Sequence, residues 1–127
     1  MRATLDSIAY QVRDVIVAME SDVGHPMKEL RVDGGATANP YLMQFQADVL
    51  GKTVRRPKIL ETTAMGAAML AGLAGGLWKT PAQLDGIIKG ADIFKPKMKS
   101  EERNRLVAGW RAAVARVLTT RQAPPQS

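Results

Sequence analysis

The sequence predicts an α/β fold in which helices pack on a small, incomplete sheet. Three observations indicate this class: helical periodicity near both ends, a strand followed by two glycines and a helix start, and a long charge-free segment in the middle. The 127 residues are enough for one domain. We expect this domain to cover residues 1–120 and a frayed tail to cover 121–127, where two adjacent prolines lie.

The first half of the chain is predicted to form two helices, each followed by a short strand. Apolar residues recur at every third or fourth position over residues 2–21, which predicts a helix with one buried face. That apolar stripe consists of Leu5, Ile8, Ala9, Val12, Val15, Ile16 and Met19. Apolar and polar residues alternate over 28–33, as in a strand. A second helix is expected over Pro40–Leu50 with Gly51 as its cap, and a second strand over 53–56.

The middle of the chain is notable for its lack of charge. Residues 62–78 contain no charged side chain, and apolar or small residues occur on every side of the helix that they would form. A helix that is apolar all round is buried or spans a membrane, and this segment is shorter than the ~20 residues of a typical span. We therefore expect a buried helix, in which Gly66 and Gly72 let a neighbouring backbone approach closely.

The last third of the chain is predicted to end in a long helix. A short helix over 80–88 and an extended piece over 92–94 come first. The final helix is expected over 101–120 with Ser100 as its N-terminal cap. Its predicted inward-facing side chains are Leu106, Val107, Trp110, Val114, Val117 and Leu118.

The segment between the first strand and the second helix is the best candidate for a binding site. Gly34 and Gly35 both permit positive φ, and they let a ligand approach the backbone. Asn39 and Pro40 are typical of a helix start, where free N–H groups attract phosphates. On these residues alone, a nucleotide site and a plain strand-to-helix connection are both open. The segment has neither a P-loop lysine nor the G-x-G-x-x-G pattern of dinucleotide-binding folds.

The remaining polar residues form no pattern that predicts catalysis or metal binding. His25, the only histidine, is expected in an exposed turn. Asp33 could serve as a base or a magnesium ligand, but the preferred interpretation is that it accepts backbone N–H bonds in its turn. Asp48 is expected as a surface acid of the second helix, and Glu61 as an acid at the start of the third.

Charge and cysteine content bear on the class of partner. A formal net charge of +6 is compatible with nucleic-acid binding. The basic clusters contain no interleaved aromatic residues that would stack on bases, so no nucleic-acid partner is predicted. The basic residues, Arg55 and Arg56 among them, are instead interpreted as solvated surface. The absence of cysteine fits a reducing cytoplasm, and no signal-peptide pattern opens the chain.

Several motifs together resemble one protein family. The glycine turn lies within residues 32–36, Asn39 follows it, and the run 42–51 comes next. Further similar segments are 3–5, 7–11, 54–57, 61–68, 70–73, 102–104 and 109–110. Over about residues 2–118, the chain resembles the C-terminal domain of the FGGY carbohydrate kinases, which belong to the actin-like ATPase superfamily. The Leu-Met-Gln-Phe-Gln-Ala run that begins at Leu42 is similar to the glycerol kinase branch.

The resemblance implies a partial actin-like ATPase lobe of ribonuclease H-like fold, from an enzyme that transfers the γ-phosphoryl group of ATP to glycerol. It implies that Gly34, Gly35 and Asn39 contact the nucleotide, Gly35 through its backbone and Asn39 through its side-chain amide. The family's phosphate-binding hairpin, catalytic aspartate and most polyol contacts precede the segment that this chain matches. The resemblance thus implies a C-terminal fragment on the adenosine-binding side, inactive alone, with no catalytic residue and no ligand for the Mg²⁺ that accompanies ATP.

The same resemblance implies a set of partners and leaves alternatives. ATP or ADP is the expected ligand, and glycerol is reached only through an N-terminal portion. The parent enzyme is expected to be a cytoplasmic homo-oligomer without a membrane span. The alternatives are a fragment of another FGGY sugar kinase that acts on a pentulose or hexonate, a non-catalytic nucleotide-binding module, and the relic of a broken gene.

Overall fold

The computed structural model describes residues 2–59, 62–84 and 90–119. Its elements along the chain are α1 (Arg2–Val23), β1 (Glu29–Arg31), α2 (Pro40–Leu50), β2 (Thr53–Pro57), α3 (Thr62–Ala74), β3 (Ala91–Phe94) and α4 (Ser100–Thr119), with 3₁₀ turns at Gly35–Ala38 and Pro81–Leu84. The predicted α/β class is confirmed. The predicted roles of Glu61, of 85–88 in a short helix and of the tail 121–127 lie outside the described residues.

The described strands form one small sheet in the order β1-β2-β3. β1 and β2 are parallel, with Leu30 opposite Val54, and β3 is antiparallel to β2, with Phe94 opposite Val54. Two neighbouring parallel strands need a crossover connection, and α2 provides it. Val54, at the centre of the sheet, is fully buried. The predicted incomplete sheet is therefore confirmed.

α2 forms the centre of the core. Its buried side chains are Leu42, Met43, Phe45, Gln46, Ala47 and Val49. They pack between α1, which contributes Ala9, and the sheet, which contributes Val54. The side-chain amide of Gln46 donates a hydrogen bond to the carbonyl oxygen of Ala9 at 3.1 Å, so this buried polar group is satisfied.

The C-terminal end of α2 is joined tightly to α4. Gly51 caps the helix with a left-handed φ of 66°, as predicted. A Cβ at this position would lie 2.7 Å from Nη1 of Arg103. The Nε of Arg103 donates to the carbonyl oxygen of Asp48 at 2.7 Å. Glycine is therefore favoured here by its backbone conformation, and a larger residue would also displace the guanidinium.

Asp48 is more than the surface acid that the sequence predicts. Its Oδ1 accepts the backbone N–H groups of Lys97 at 2.6 Å and Met98 at 3.2 Å, and the side-chain amide of Gln44 at 3.1 Å. The carboxylate is half-buried and ties α2 to the segment before α4. The sequence gives no sign of this role because the bonded positions lie far along the chain.

The apolar stripe of α1 is only partly buried. Ala9 and Ile16 are buried, whereas Ile8, Val15 and Met19 are exposed. The prediction that these three face the core is therefore wrong for the described part of the chain. The physical reason is that periodicity shows which face of a helix is apolar, while burial also needs a neighbour, and α2 covers only one side of α1.

α4 shows the same contrast along its length. Its first half packs on the core through buried Val107, and the ring of Trp110 stacks on Tyr10 at 5.2 Å. Val117 and Leu118, predicted to face inward, are exposed, whereas the contacts of α4 with the core come from Leu106 and Val107 in its earlier turns. Ser100 is the first helical residue, one position before the predicted start.

α3 departs most from its prediction. It ends at Ala74, and Met69 is its buried residue, whereas Leu70 remains 70% exposed. The expected burial is therefore wrong within the described residues, since α3 has no helix or strand packed closely along it there. None of the helices in the described part of the chain has the length and the unbroken apolar character that a bilayer span requires.

The glycines of α3 also differ from their prediction. A Cβ at Gly72 would lie 2.0 Å from the ring of Trp78, so this glycine accommodates a side chain that folds back on the helix, not a neighbouring backbone. The fold-back follows the helix end, where the Leu77 N–H donates to the carbonyl oxygen of Gly72 at 2.8 Å. Among the described residues, no heavy atom lies within 4 Å of a Cβ placed at Gly66.

Candidate functional site

The double-glycine turn follows β1 and is open to solvent. Gly34 has a φ of 92° and a ψ of 168°, a conformation that strongly favours glycine. Both glycines permit positive φ, and of the two only Gly34 adopts it. Both are exposed, and among the described residues nothing lies within 4 Å of a Cβ at either position. A ligand can therefore approach this stretch of backbone directly.

The 3₁₀ turn Gly35–Ala38 is stabilised by hydrogen bonds among residues 34–39. The N–H and the Oγ1 of Thr37 both donate to the carbonyl oxygen of Gly34, at 3.0 and 2.6 Å. The N–H of Asn39 donates to Ala36 O at 3.3 Å. Within the described ranges, the N–H groups of Gly35 and Ala36 have no protein acceptor. These two donors are therefore available to an acceptor atom of a ligand.

Asn39 caps α2, as predicted. Its Oδ1 accepts the N–H groups of Tyr41 at 3.0 Å and Leu42 at 3.3 Å, and Pro40 occupies the first helical position. The prediction that this helix start presents free N–H groups to a phosphate is wrong, because the cap uses them. The Nδ2 of Asn39 has no acceptor within the described ranges, so the amide nitrogen is the group left for a ligand.

Arg56 of β2 binds the backbone of the turn through its guanidinium group. Its Nη1 donates to the carbonyl oxygens of Thr37 at 2.7 Å and Ala38 at 3.2 Å. Its Nη2 lies 2.7 Å from Oδ2 of Asp92, and the guanidinium stacks 5.2 Å from the ring centre of Phe94. The interpretation of Arg56 as solvated surface is therefore wrong. No signal in the sequence distinguishes it from the basic residues around it.

A cleft of about 560 Å³ lies beside the turn, at the carboxyl ends of β1 and β2. Its lining residues are Arg31, Val32, Asp33, Arg55, Pro57, Thr62, Gly90 and Ala91. Ligands of sheets with parallel strands bind at this edge. Gly34, Gly35 and Asn39 do not line the cleft, so the turn and the cleft are neighbouring features and not one pocket.

Two acidic residues near the cleft, Asp33 and Glu29, bind side chains that lie next to them in space. Oδ2 of Asp33 accepts the hydroxyl of Thr62 at 2.6 Å, which joins the end of β1 to the start of α3. The preferred interpretation of Asp33 as a cap of its own turn is therefore wrong. The guanidinium groups of Arg31 and Arg55 hold the pKa of Glu29 below its usual value.

Metal-ligating side chains do not cluster in the described residues. They include no group of three His, Cys, Asp or Glu side chains that could hold a metal ion. His25 is exposed, in the turn after α1 where the sequence places it. Within the described residues, the Mg²⁺ that accompanies ATP therefore has no site built from three such side chains.

Comparisons with known proteins identify the family. Residues 1–75 match the C-terminal domain of the FGGY family of carbohydrate kinases. The chain is 59% identical over 115 residues to the glycerol kinase of Symbiobacterium thermophilum, covering 91% of this chain and 23% of that protein. It therefore spans about a quarter of the length of such relatives.

Solved structures give the same answer for the fold. The Plasmodium falciparum glycerol kinase, solved with ADP, superposes with a TM-score of 0.74 and 34% identity over 91% of this chain and 23% of that one. The xylulose kinase of Rhodospirillum rubrum follows with a TM-score of 0.68 and 27% identity, over 94% and 24%. The predicted partial actin-like ATPase lobe is confirmed. This chain belongs to the FGGY family of carbohydrate kinases.

Proposed function

We propose that this chain supplies the adenosine-binding side of an ATP-dependent glycerol kinase, which transfers the γ-phosphoryl group of ATP to a terminal hydroxyl of glycerol. The observation that carries the proposal is the open glycine turn, which presents unpaired N–H groups next to the free amide nitrogen of Asn39. The similarity to glycerol kinases supports it, since one of them was solved with ADP.

In this proposal Gly34, Gly35 and Asn39 form one wall of the nucleotide site. The two glycines let the adenosine lie against the backbone, and the N–H of Gly35 donates to it. The Nδ2 of Asn39 donates to an acceptor on the ribose or the adenine edge. Because Oδ1 of Asn39 is fixed by the helix cap, the donor is oriented before the nucleotide arrives.

The chain contributes positioning and no catalytic group. Phosphoryl transfer depends on in-line positioning and on charge stabilisation around the γ-phosphate. We propose that the proton acceptor, the phosphate contacts, the Mg²⁺ ligands and the glycerol contacts come from the part of the enzyme that this chain does not match. We further propose that the complete enzyme is a cytoplasmic homo-oligomer.

Calorimetric titration with ADP tests the site. Asn39→Asp keeps the capping oxygen but replaces the donor with a carboxylate, so it separates binding from folding. We expect the wild-type chain to bind ADP and the variant to have a Kd at least about tenfold higher. A hydrogen bond is lost in the variant, and a negative charge faces the nucleotide.

Asn104→Asp, an exposed position on α4, is the matched control for the added charge. It should leave the affinity for ADP unchanged. Absence of binding by the wild-type chain at millimolar ADP would overturn the proposal and favour the relic. Equal affinity of Asn39→Asp and wild type would show that Asn39 is not a contact.

A second measurement tests the division of labour. The purified chain, mixed with ATP, Mg²⁺ and glycerol, should form no glycerol 3-phosphate above a blank without protein. Formation of the product would contradict the claim that the catalytic groups lie elsewhere. ADP binding without any activity would also describe a non-catalytic nucleotide-binding module, so the proposal as a kinase rests on the similarity to glycerol kinases.

Another sugar kinase of the family is the second candidate. The likeness to a xylulose kinase, with a TM-score of 0.68, shows that the same fold accompanies a different acceptor. The 59% identity to a glycerol kinase favours glycerol. Assays of a longer protein that contains this sequence, with glycerol and xylulose as competing acceptors, would decide between the two.

A further inference from the structure

We propose that Arg56 is the positioning residue of the nucleotide-binding turn: it holds the backbone before Asn39 in place without touching the nucleotide. This inference rests on the proposed function. The side chain reaches from β2 to the turn and is only 16% exposed. Among the described residues, it connects the sheet to the carbonyl groups of Thr37 and Ala38, which immediately precede the capping asparagine.

The contacts of Arg56 fix two successive peptide planes. Nη1 binds the carbonyl oxygen of Thr37 and that of Ala38. A peptide unit is planar, so holding its C=O also sets the direction of its N–H. The unit between Ala38 and Asn39 is held at both ends, because its N–H donates to Ala36 O. The Cα of Asn39 is thereby located, and with it the direction in which Nδ2 points.

The other half of the guanidinium is anchored to the sheet. Nε and Nη2 of Arg56 lie 3.2 and 2.7 Å from Oδ2 of Asp92 on β3, and the ring of Phe94 lies against the guanidinium face. The carboxylate of Asp92 compensates the positive charge, so this arginine is not an unpaired cation that could bind a phosphate. Its effect on a nucleotide is transmitted through the backbone of the turn.

Lysine cannot reproduce this arrangement. Arginine has five N–H donors in a rigid planar fork, so that one edge can bind two carbonyls while another binds a carboxylate. A lysine ammonium keeps the charge but is a single point that lacks the fork and the planar face. Arg56→Lys therefore removes the geometry and retains the charge, which makes it the informative substitution.

The experiment measures ADP affinity and local hydrogen exchange in the same variants, under conditions where each is fully folded. We expect Arg56→Lys to raise the Kd for ADP about fivefold or more and to speed exchange of the Asn39 amide, with exchange of Val49 in α2 unchanged. Arg105→Lys, the same substitution at an exposed position of α4, should change neither. A merely structural role would lower stability and leave the Kd of the folded protein unchanged.

The outcomes separate the two proposals. A wild-type chain that does not bind ADP overturns the proposed function and this inference with it. A wild-type chain that binds, with an unchanged Kd in Arg56→Lys, overturns only the role of Arg56. If Arg56→Lys fails to fold, Asp92→Asn loosens the anchor while keeping the arginine, and an unchanged Kd and unchanged Asn39 exchange in that variant overturn the inference equally.

Discussion

α2 and α3 are both largely apolar helices, but they lie in opposite environments. α2 contains one charged residue, Asp48, and buries six of its side chains. α3 contains no charge and buries Met69. The difference shows that composition decides whether a helix needs cover, whereas the neighbours that the chain provides decide whether it has cover.

Polar contacts sharpen the contrast between the two helices. α2 is fixed at its start by the Asn39 cap, in its middle by Gln46 and at its end by Asp48. The described contacts of α3 are fewer: Thr62 binds Asp33 at one end, and Trp78 folds back on the other. Directional bonds of this kind define the position of α2 more closely than apolar contact alone would do.

The largest effect is expected where α2 is buried. Leu42→Ala removes a side chain that is 2% exposed and should lower the free energy of unfolding by about 2–5 kcal/mol. Leu70→Ala, the same substitution at the 70% exposed position in α3, should change it by at most about 0.5 kcal/mol. Denaturant unfolding followed by circular dichroism measures both free energies. Equal losses in the two variants would contradict the contrast between a buried α2 and an exposed α3.

An intermediate effect is expected at Asp48. Asp48→Ala removes the acceptor of the Lys97 and Met98 N–H groups, which should cost about 1 kcal/mol, since water can replace it at the exposed Lys97. Asp48→Asn retains one carbonyl oxygen and should restore most of that loss. The same unfolding measurement applies, and an unchanged free energy in Asp48→Ala would show that these bonds do not stabilise the joint between α2 and α4.

The smallest effect is expected from acid. Hydrogen bonds from Lys52 and from the N–H of Met27 hold the pKa of Glu20 below its usual value. A group whose pKa is lowered in the folded state stabilises the protein above its usual pKa, about 4.5 for Glu20, and this contribution disappears as the pH falls through the lowered pKa. The stability advantage of the wild type over Glu20→Gln should therefore be present at pH 7 and shrink below about pH 4.5.

Thermal midpoints of the two proteins, measured from pH 7 down to pH 3, check this expectation. Arg31→Gln is a second test of the same pH dependence, because the hydrogen bond from Arg31 lowers the pKa of Glu29. An advantage of the wild type that stays constant across the range would show that the Glu20 carboxylate does not contribute through its charge.

The features that sequence reasoning predicted correctly depend on local chemistry. The bounds of α2, the Asn39 cap, the Gly51 cap and the positive φ of Gly34 each follow from residues within a few positions of one another. Neighbouring residues were sufficient evidence in these cases, because capping and turn formation are decided within one helical turn.

The features that it missed depend on residues far apart in the chain. Arg56 reaches Thr37 across 19 positions, and Asp48 reaches Lys97 across 49. Nothing in a single sequence marks which arginine in a basic cluster will meet a carbonyl, since the choice is made by strand pairing and helix packing. The burial expected for α3 has a related difficulty: an apolar pattern states a need for burial and does not say which segment meets it.

We expect the exposed leucines in α3 and just after it to make the behaviour of this chain depend on its concentration. Leu70 and Leu77 are 70% and 73% exposed, and apolar surface of this kind associates with other apolar surface when patches are large enough. Such association obeys mass action, so dilution favours separate chains. Sulfate strengthens apolar contact and favours the assembled form, whereas urea weakens it.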